Sequence, residues 1–193
     1  GRRALSQEML TDRFMVYVNR EADIRQLLKL AKRNGIRVAI IGGAEAWRLA
    51  ETLAAENIPV FIDAMDDLPS TFDQLGATEE NAALLKRAGV SVSFYNGNDA
   101  SHNARKVRLP WEAGLAGITS APAKALGVDA RIGSIEVGKT ADLVLWTGDP
   151  LDVASTASNL WLAGKATSML SRQTQLRDRY LAPENGLPRA YQP

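Results

Sequence analysis

GSIEVGKTADLVLWTGDP, residues Gly133 to Pro150, sets two glycine turns ahead of a short apolar run. Gly133-Ser134 and Gly138-Lys139 each suit a tight turn, and Leu143-Val144-Leu145-Trp146 has the length and composition of a strand. The expectation is a hairpin closing on a buried strand. Downstream, Asn159 to Leu162, a turn at Gly164-Lys165 and Ala166 to Leu170 read as a second hairpin of the same sheet. The charged segment Ser171 to Leu181 then suits a surface helix, and Pro183 to Pro193 a proline-rich tail that drapes or stays disordered.

Upstream the pattern changes from turns to strand-helix alternation. Phe14 to Val18, Val38 to Ile41, Pro59 to Ile62 and Val90 to Tyr95 are apolar runs of strand length, of the kind a parallel sheet buries on both faces. The first is followed by a helix over Arg20 to Asn34, with Asn19 as its cap; Ile24, Leu27, Leu28 and Ala31 recur on one face, and Gly35 stops it. Further helices are expected over Ala44 to Glu56, over Glu79 to Arg87 with Thr78 as cap, and over Leu109 to Leu126 with Pro110 in the first turn. Residues 1 to 13 are polar and irregular, with a short helix around Ser6 to Leu10. Strands and helices alternating in this way predict right-handed crossovers, compatible with either a (β/α) barrel or a Rossmann-like sheet. No Gly-x-Gly-x-x-Gly supports the second.

Composition removes several function classes. The chain has 193 residues, 46% of them apolar, enough for a real core. With 23 basic and 22 acidic residues interspersed, the net charge is +1, so no field draws in nucleic acid or an anionic membrane. No apolar run has the ~18 residues of a membrane span and no charged-then-apolar leader opens at Gly1, so the expectation is a soluble protein, its compartment open between cytoplasm and export. The absence of cysteine removes disulfides, thiol catalysis and zinc-thiolate sites.

The signature Gly133 to Pro150, together with Thr119-Ser120-Ala121-Pro122-Ala123-Lys124-Ala125-Leu126-Gly127, resembles the amidohydrolase superfamily, its imidazolonepropionase-like branch especially. The resemblance implies the C-terminal half of a TIM-type (β/α)8 barrel plus the C-terminal strands of a small β-sandwich. The expected division is 1–127 for the last four barrel strands, 128–170 for the sandwich part, and 171–193 for helix and tail. A complete barrel takes about 250 residues, so a complementary N-terminal half or a second copy is the expected partner. Similar proteins separate a motif like His102-Asn103-Ala104-Arg105 from one like Leu109-Pro110-Trp111-Glu112 by a helix and turn; here the two nearly abut.

The implied activity is hydrolysis of carbon-nitrogen bonds other than peptide bonds, in cyclic or linear amides, on a zinc-type divalent metal. The alternative is a non-catalytic binding or assembly subunit of the same fold. The resemblance places metal-ligand histidines at the ends of the strands that here finish at Val18 and Ile41, where this chain has Tyr17 and Gly42-Gly43. It makes Asp99, after the last strand, the proton acceptor and possible metal ligand. His102, the single histidine, can act as a base near neutral pH. Tyr17, Asn19 and Arg20 are placed to line a substrate pocket, although capping and surface pairing also suit Asn19 and Arg20. Asp63, Asp66 and Asp67 could hold a hard cation or simply form a turn. Gly42-Gly43 could receive an anion ahead of a helix. Trp47, Trp111, Trp146 and Trp161 suit packing more readily than a ligand cage.

Overall fold

The computed structural model describes residues 13–65, 68–95, 102–105 and 108–181. The short helix expected near Ser6 and the C-terminal tail lie outside the described residues. Four strands, β1 (Arg13–Val18), β2 (Arg37–Gly42), β3 (Val60–Ile62) and β4 (Val92–Phe94), form one sheet in the order β1-β2-β3-β4, and every pairing is parallel. Each strand is laid down beside its predecessor, always on the same side. A doubly wound sheet reverses direction at a switch point, whereas a barrel adds strands in sequence. The strand order therefore decides for a partial barrel against the Rossmann-like alternative.

Between the strands run α1 (Glu21–Asn34), α2 (Ala50–Ala55) and α3 (Asn81–Arg87). They cover one face of the sheet, where Val38, Ile40, Val60, Ile62 and Val92 pack with Ile24 and Leu28 of α1, Leu53 of α2 and Leu85 of α3. Ile24, Leu53, Leu85 and Val60 are fully buried; such side chains each contribute about 1.5–3 kcal/mol over exposure. On the other face Ala39 and Phe61 pack with Ala125, flanked by Ile41 and Tyr95.

Some sequence expectations change in the structure. β1 is not buried on both faces: Met15 and Tyr17 are exposed, Tyr17 by 62%. It is an edge strand among the described residues, and nothing described covers the face that carries these two. The helix expected over Ala44 to Glu56 begins instead as a 3-10 turn, Ala46–Leu49, and becomes α-helical only at Ala50. The helix expected over Leu109 to Leu126 is two, α4 (Trp111–Ile118) and α5 (Ser120–Ala125), broken at Thr119 with φ −130° and ψ −87°. Gly117 lets α4 lie against β4, because a Cβ there would stand 2.6 Å from the Phe94 ring.

A second, antiparallel sheet holds β5 (Leu143–Trp146), β6 (Ala157–Leu162) and β7 (Lys165–Thr167), followed by α6 (Arg172–Leu181). The hairpin read from the signature is displaced. Gly133 and Gly138 do turn the chain at φ +94° and +90°, but β5 pairs forward with β6, not back with the residues ahead of it. Nor is β5 buried, since Val144 and Leu145 are about half exposed on a sheet with no second layer among the described residues. β6 and β7 form the second hairpin, whose turn is Ala163-Gly164, both at positive φ (49° and 77°), one residue earlier than expected. That is the mirror-image turn whose twist matches paired strands.

Candidate functional site

In a parallel (β/α) sheet the C-terminal strand ends form one rim, and the register aligns them: Val18 faces Gly42 and Ile62 faces Phe94. The rim carries Tyr17, Asn19 and Arg20 from β1, Gly42 and Gly43 from β2, Asp63 from β3, and Tyr95 from β4.

The loop after β2 is the hub of this rim. The Gly43 N–H donates to the Val18 carbonyl at 2.8 Å and the Glu45 N–H to the Asn19 carbonyl at 2.9 Å. The Glu45 carboxylate in turn accepts the Glu21 N–H at 2.8 Å, satisfying a donor at the open start of α1. Asn81, at the first turn of α3, donates its amide to the Gly43 carbonyl at 2.9 Å. Sequence reasoning missed both Glu45 and Asn81; their partners lie 24 and 38 residues away, so no local pattern marks them.

Asn19 is 94% buried and does not cap α1, whose flanking residue is Arg20. Its Oδ1 accepts the Ala44 N–H at 3.3 Å, and its Nδ2 donates to the Tyr17 hydroxyl at 3.3 Å. The amide thus bridges two strand ends. Gly42 must be glycine twice over: its φ is +88°, and a Cβ would stand 2.5 Å from Asn19 Oδ1 and 3.3 Å from the Tyr17 ring. Arg20 faces solvent with Asp73 at 3.7 Å, the surface pairing that the sequence allowed.

The remaining candidates separate. Asp99, Asp66 and Asp67 lie outside the described residues. His102 opens a 3-10 turn, His102–Arg105. Asp63 accepts the Met65 N–H at 2.9 Å, which is turn chemistry. Gly42-Gly43 is not an anion cradle, because the amides that follow it, Ala44 and Glu45, already donate to Asn19. The tryptophans sit apart. Trp47 donates to the Gly76 carbonyl at 2.9 Å with the Arg48 guanidinium over its ring, and Trp146 and Trp161 lie on the β5–β6 hairpin.

Trp111 makes the second feature that sequence reasoning missed. Its indole N–H donates to Asp149 Oδ1 at 2.9 Å, and the same oxygen accepts the Leu151 N–H at 2.9 Å. Arg105 lies 3.6 Å from Asp149 and 3.5 Å from Asp152. Those bonds, the indole's foremost, hold the Asp149 carboxyl below the usual range, with Arg105 adding to the effect. Leu151, 98% buried, packs against Gly114 and fastens the β5–β6 connection to α4.

The described strand ends do not converge on a divalent-metal site. Among the described residues no group of three or more His, Cys, Asp or Glu could hold an ion. Gly42 brings no side-chain ligand atom, a Cβ there would stand 2.5 Å from Asn19 Oδ1, and that oxygen already accepts the Ala44 N–H. Among the described residues, no helix is long and apolar enough to cross a membrane.

Sequential parallel strands with their loops gathered at one rim define part of a (β/α) barrel of the kind that houses enzyme sites at its strand ends. Residues 13–168 match the sequence model of the amidohydrolase family, and the chain belongs to that family. An amidohydrolase from Thermotoga maritima superposes with a TM-score of 0.78 at 28% identity, over 84% of this chain and 45% of that one. The urease subunit alpha of Photorhabdus laumondii is 30% identical over 133 residues, which is 67% of this chain and 23% of that protein. The amidohydrolase tasK of Hapsidospora irregularis is 45% identical over 58 residues, 30% of this chain and 6% of its own length. These relatives support the family as a whole, not its imidazolonepropionase-like branch. The chain spans less than half of each.

Proposed function

We propose that this chain is part of an amidohydrolase barrel acting on carbon-nitrogen bonds other than peptide bonds, in cyclic or linear amides. The sequential four-strand sheet carries the reading, because it brings the ends of β1 to β4 to one rim of a chain that belongs to this family. Tyr17, Asn19 and Arg20 contribute to the substrate wall from β1. Asp99 accepts the proton of the attacking water, and His102 serves as a nearby base. The described strand ends hold no metal-ligand set; in this reading Asp99 is the candidate metal ligand of this chain, and the complementary part of the barrel supplies the metal-binding histidines. That part is the rest of the same polypeptide, a separate chain or a second copy. In this reading 1–127 is barrel, 128–170 belongs to a small sandwich domain and 171–193 is a terminal extension.

A second reading, a binding or assembly subunit without catalysis, is favoured by one observation: the Tyr17 ring and Asn19 amide close the space over Gly42. A native mass spectrum of the purified protein, followed by an amide-substrate panel, separates the two. The hydrolase reading expects the complementary part, as further length of the same polypeptide, a separate chain or a second copy, with divalent metal bound and turnover that Asp99→Asn abolishes. A metal-free chain or simple multiple that turns over no amide refutes it and leaves the binding subunit.

A further inference from the structure

The corner where β1 and β2 end has its lone pairs and its protons distributed unevenly. The Asn19 Oδ1 accepts from Ala44, and the Tyr17 hydroxyl oxygen accepts from Asn19 Nδ2. A hydroxyl that accepts one bond keeps its own hydrogen to donate, and an amide nitrogen carries a second hydrogen. The two charged residues that adjoin it in the chain are engaged elsewhere: the Glu45 carboxylate accepts the Glu21 N–H, and Arg20 pairs with Asp73. Cations require lone pairs, in particular carboxylate, carbonyl or imidazole atoms directed at one point. The corner brings no carboxylate or imidazole, and its Tyr17 hydroxyl keeps a hydrogen to donate.

We infer that the Tyr17–Asn19–Gly42 corner is a metal-independent binding position that presents the Tyr17 hydroxyl as a donor to an oxygen acceptor, a carbonyl or carboxylate oxygen of a ligand. Asn19 bonds the hydroxyl oxygen, Gly42 leaves the space that the amide fills, and Tyr17 is an exposed side chain among the described residues. The inference is independent of whether the complete barrel hydrolyses anything.

Two measurements on the full chain test it. Tyrosines labelled with 13C at Cζ give a signal assignable to Tyr17 by its loss in Tyr17→Phe. Acetamide and acetate are expected to shift that signal saturably, and zinc is expected to leave it unmoved, with no zinc retention that depends on Tyr17 or Asn19. Zinc bound in wild type and lost in both Tyr17→Phe and Asn19→Ala overturns the inference, as does a signal indifferent to either oxygen ligand. The corner's closure is read separately from urea midpoints. Gly42→Ala should lower the midpoint more in wild type than in an Asn19→Ala background, where the obstructing oxygen is gone. Equal shifts in the two backgrounds would remove the packing on which the corner depends.

Discussion

Asn81→Asp changes one atom type at the hub of the rim and has a calculable effect. The side chain is 92% buried and its Nδ2 donates to the Gly43 carbonyl, which also accepts the Ala46 N–H at 2.9 Å. Gly43 therefore stays bonded after the change, and the cost falls on the new side chain. At neutral pH a carboxylate oxygen faces a carbonyl oxygen: the lost bond costs about 0.5–1.5 kcal/mol and the unpaired buried charge at least about 1–3 kcal/mol. The start of α3 favours a negative charge by about 0.3–1 kcal/mol, too little to offset that. A net loss of about 0.5–4 kcal/mol at pH 7 follows from these terms. Protonation restores an O–H donor toward Gly43, so the folded state raises the new carboxyl above its ordinary value of about 3.9. A raised folded value makes the variant's relative stability greatest below that ordinary value and lost as pH rises through the higher one. Urea unfolding of wild type and variant across pH 4 to 8, followed by circular dichroism, measures the difference. A penalty that is flat with pH, or below about 0.5 kcal/mol at pH 7, the range of surface substitutions, would refute the bond from Asn81 to Gly43 as the tie between α3 and the β2 loop.

Two further changes probe the contact between the barrel helix and the second sheet. Leu151→Ala removes a side chain buried against Gly114 and should cost about 2–4 kcal/mol in urea unfolding, with amide exchange rising first in the β5–β6 connection. Exchange rising equally everywhere would show that Leu151 is not a local fastening. Asp149→Asn can keep an acceptor for Trp111 and Leu151 but loses the charge beside Arg105. Because the folded value of Asp149 is depressed, its contribution is present above the ordinary Asp range and is lost as pH falls through the lower folded value. Thermal melts should show a shallower loss of stability with acid in the variant than in wild type. Parallel acid profiles would count against the pairing.

How much of this was legible in the sequence depends on whether a residue's partner is local. β2 and β3 were readable because both of their faces are buried, which forces near-continuous apolar runs. β1 carries the same kind of run, but its burial depends on a neighbour that the sequence does not announce. The start of the helix after β2 was misjudged for the opposite reason. Alanine-rich Ala44 to Ala55 has helical propensity throughout, yet Asn19 takes the Ala44 N–H and its carbonyl takes the Glu45 N–H, so the chain is turned before the helix can begin. The same competition explains the site. Tyr17 and Gly42 could be read directly as departures from a ligand pattern, whereas Asn19 read as a helix cap became a buried bridge. The tie between Trp111 and Asp149 spans 38 residues and has no signal in either local segment.

The rim's order comes from its own backbone and amides. Bonds from Gly43 to Val18, from Glu45 to Asn19, from the Glu21 N–H to the Glu45 carboxylate and from Asn81 to Gly43 cross-tie the ends of β1 and β2 with the starts of α1 and α3. In a site organised by an ion, the ligands converge and the surrounding bonds aim them; here the equivalent atoms converge on one another. This part of the barrel can therefore keep its shape without a cation. Its contribution in the proposed hydrolase is position and hydrogen-bond donation. In the proposed hydrolase the chemical step then falls to the region after β4, where Asp99 and His102 stand in the sequence, and to the strands that complete the barrel. That division assigns different phenotypes to the two ends of one rim. Substitutions at Tyr17 should act mainly on KM, and substitutions at Asp99 mainly on kcat. A fall in kcat alone at Tyr17 would place the chemistry at β1 and refute the division.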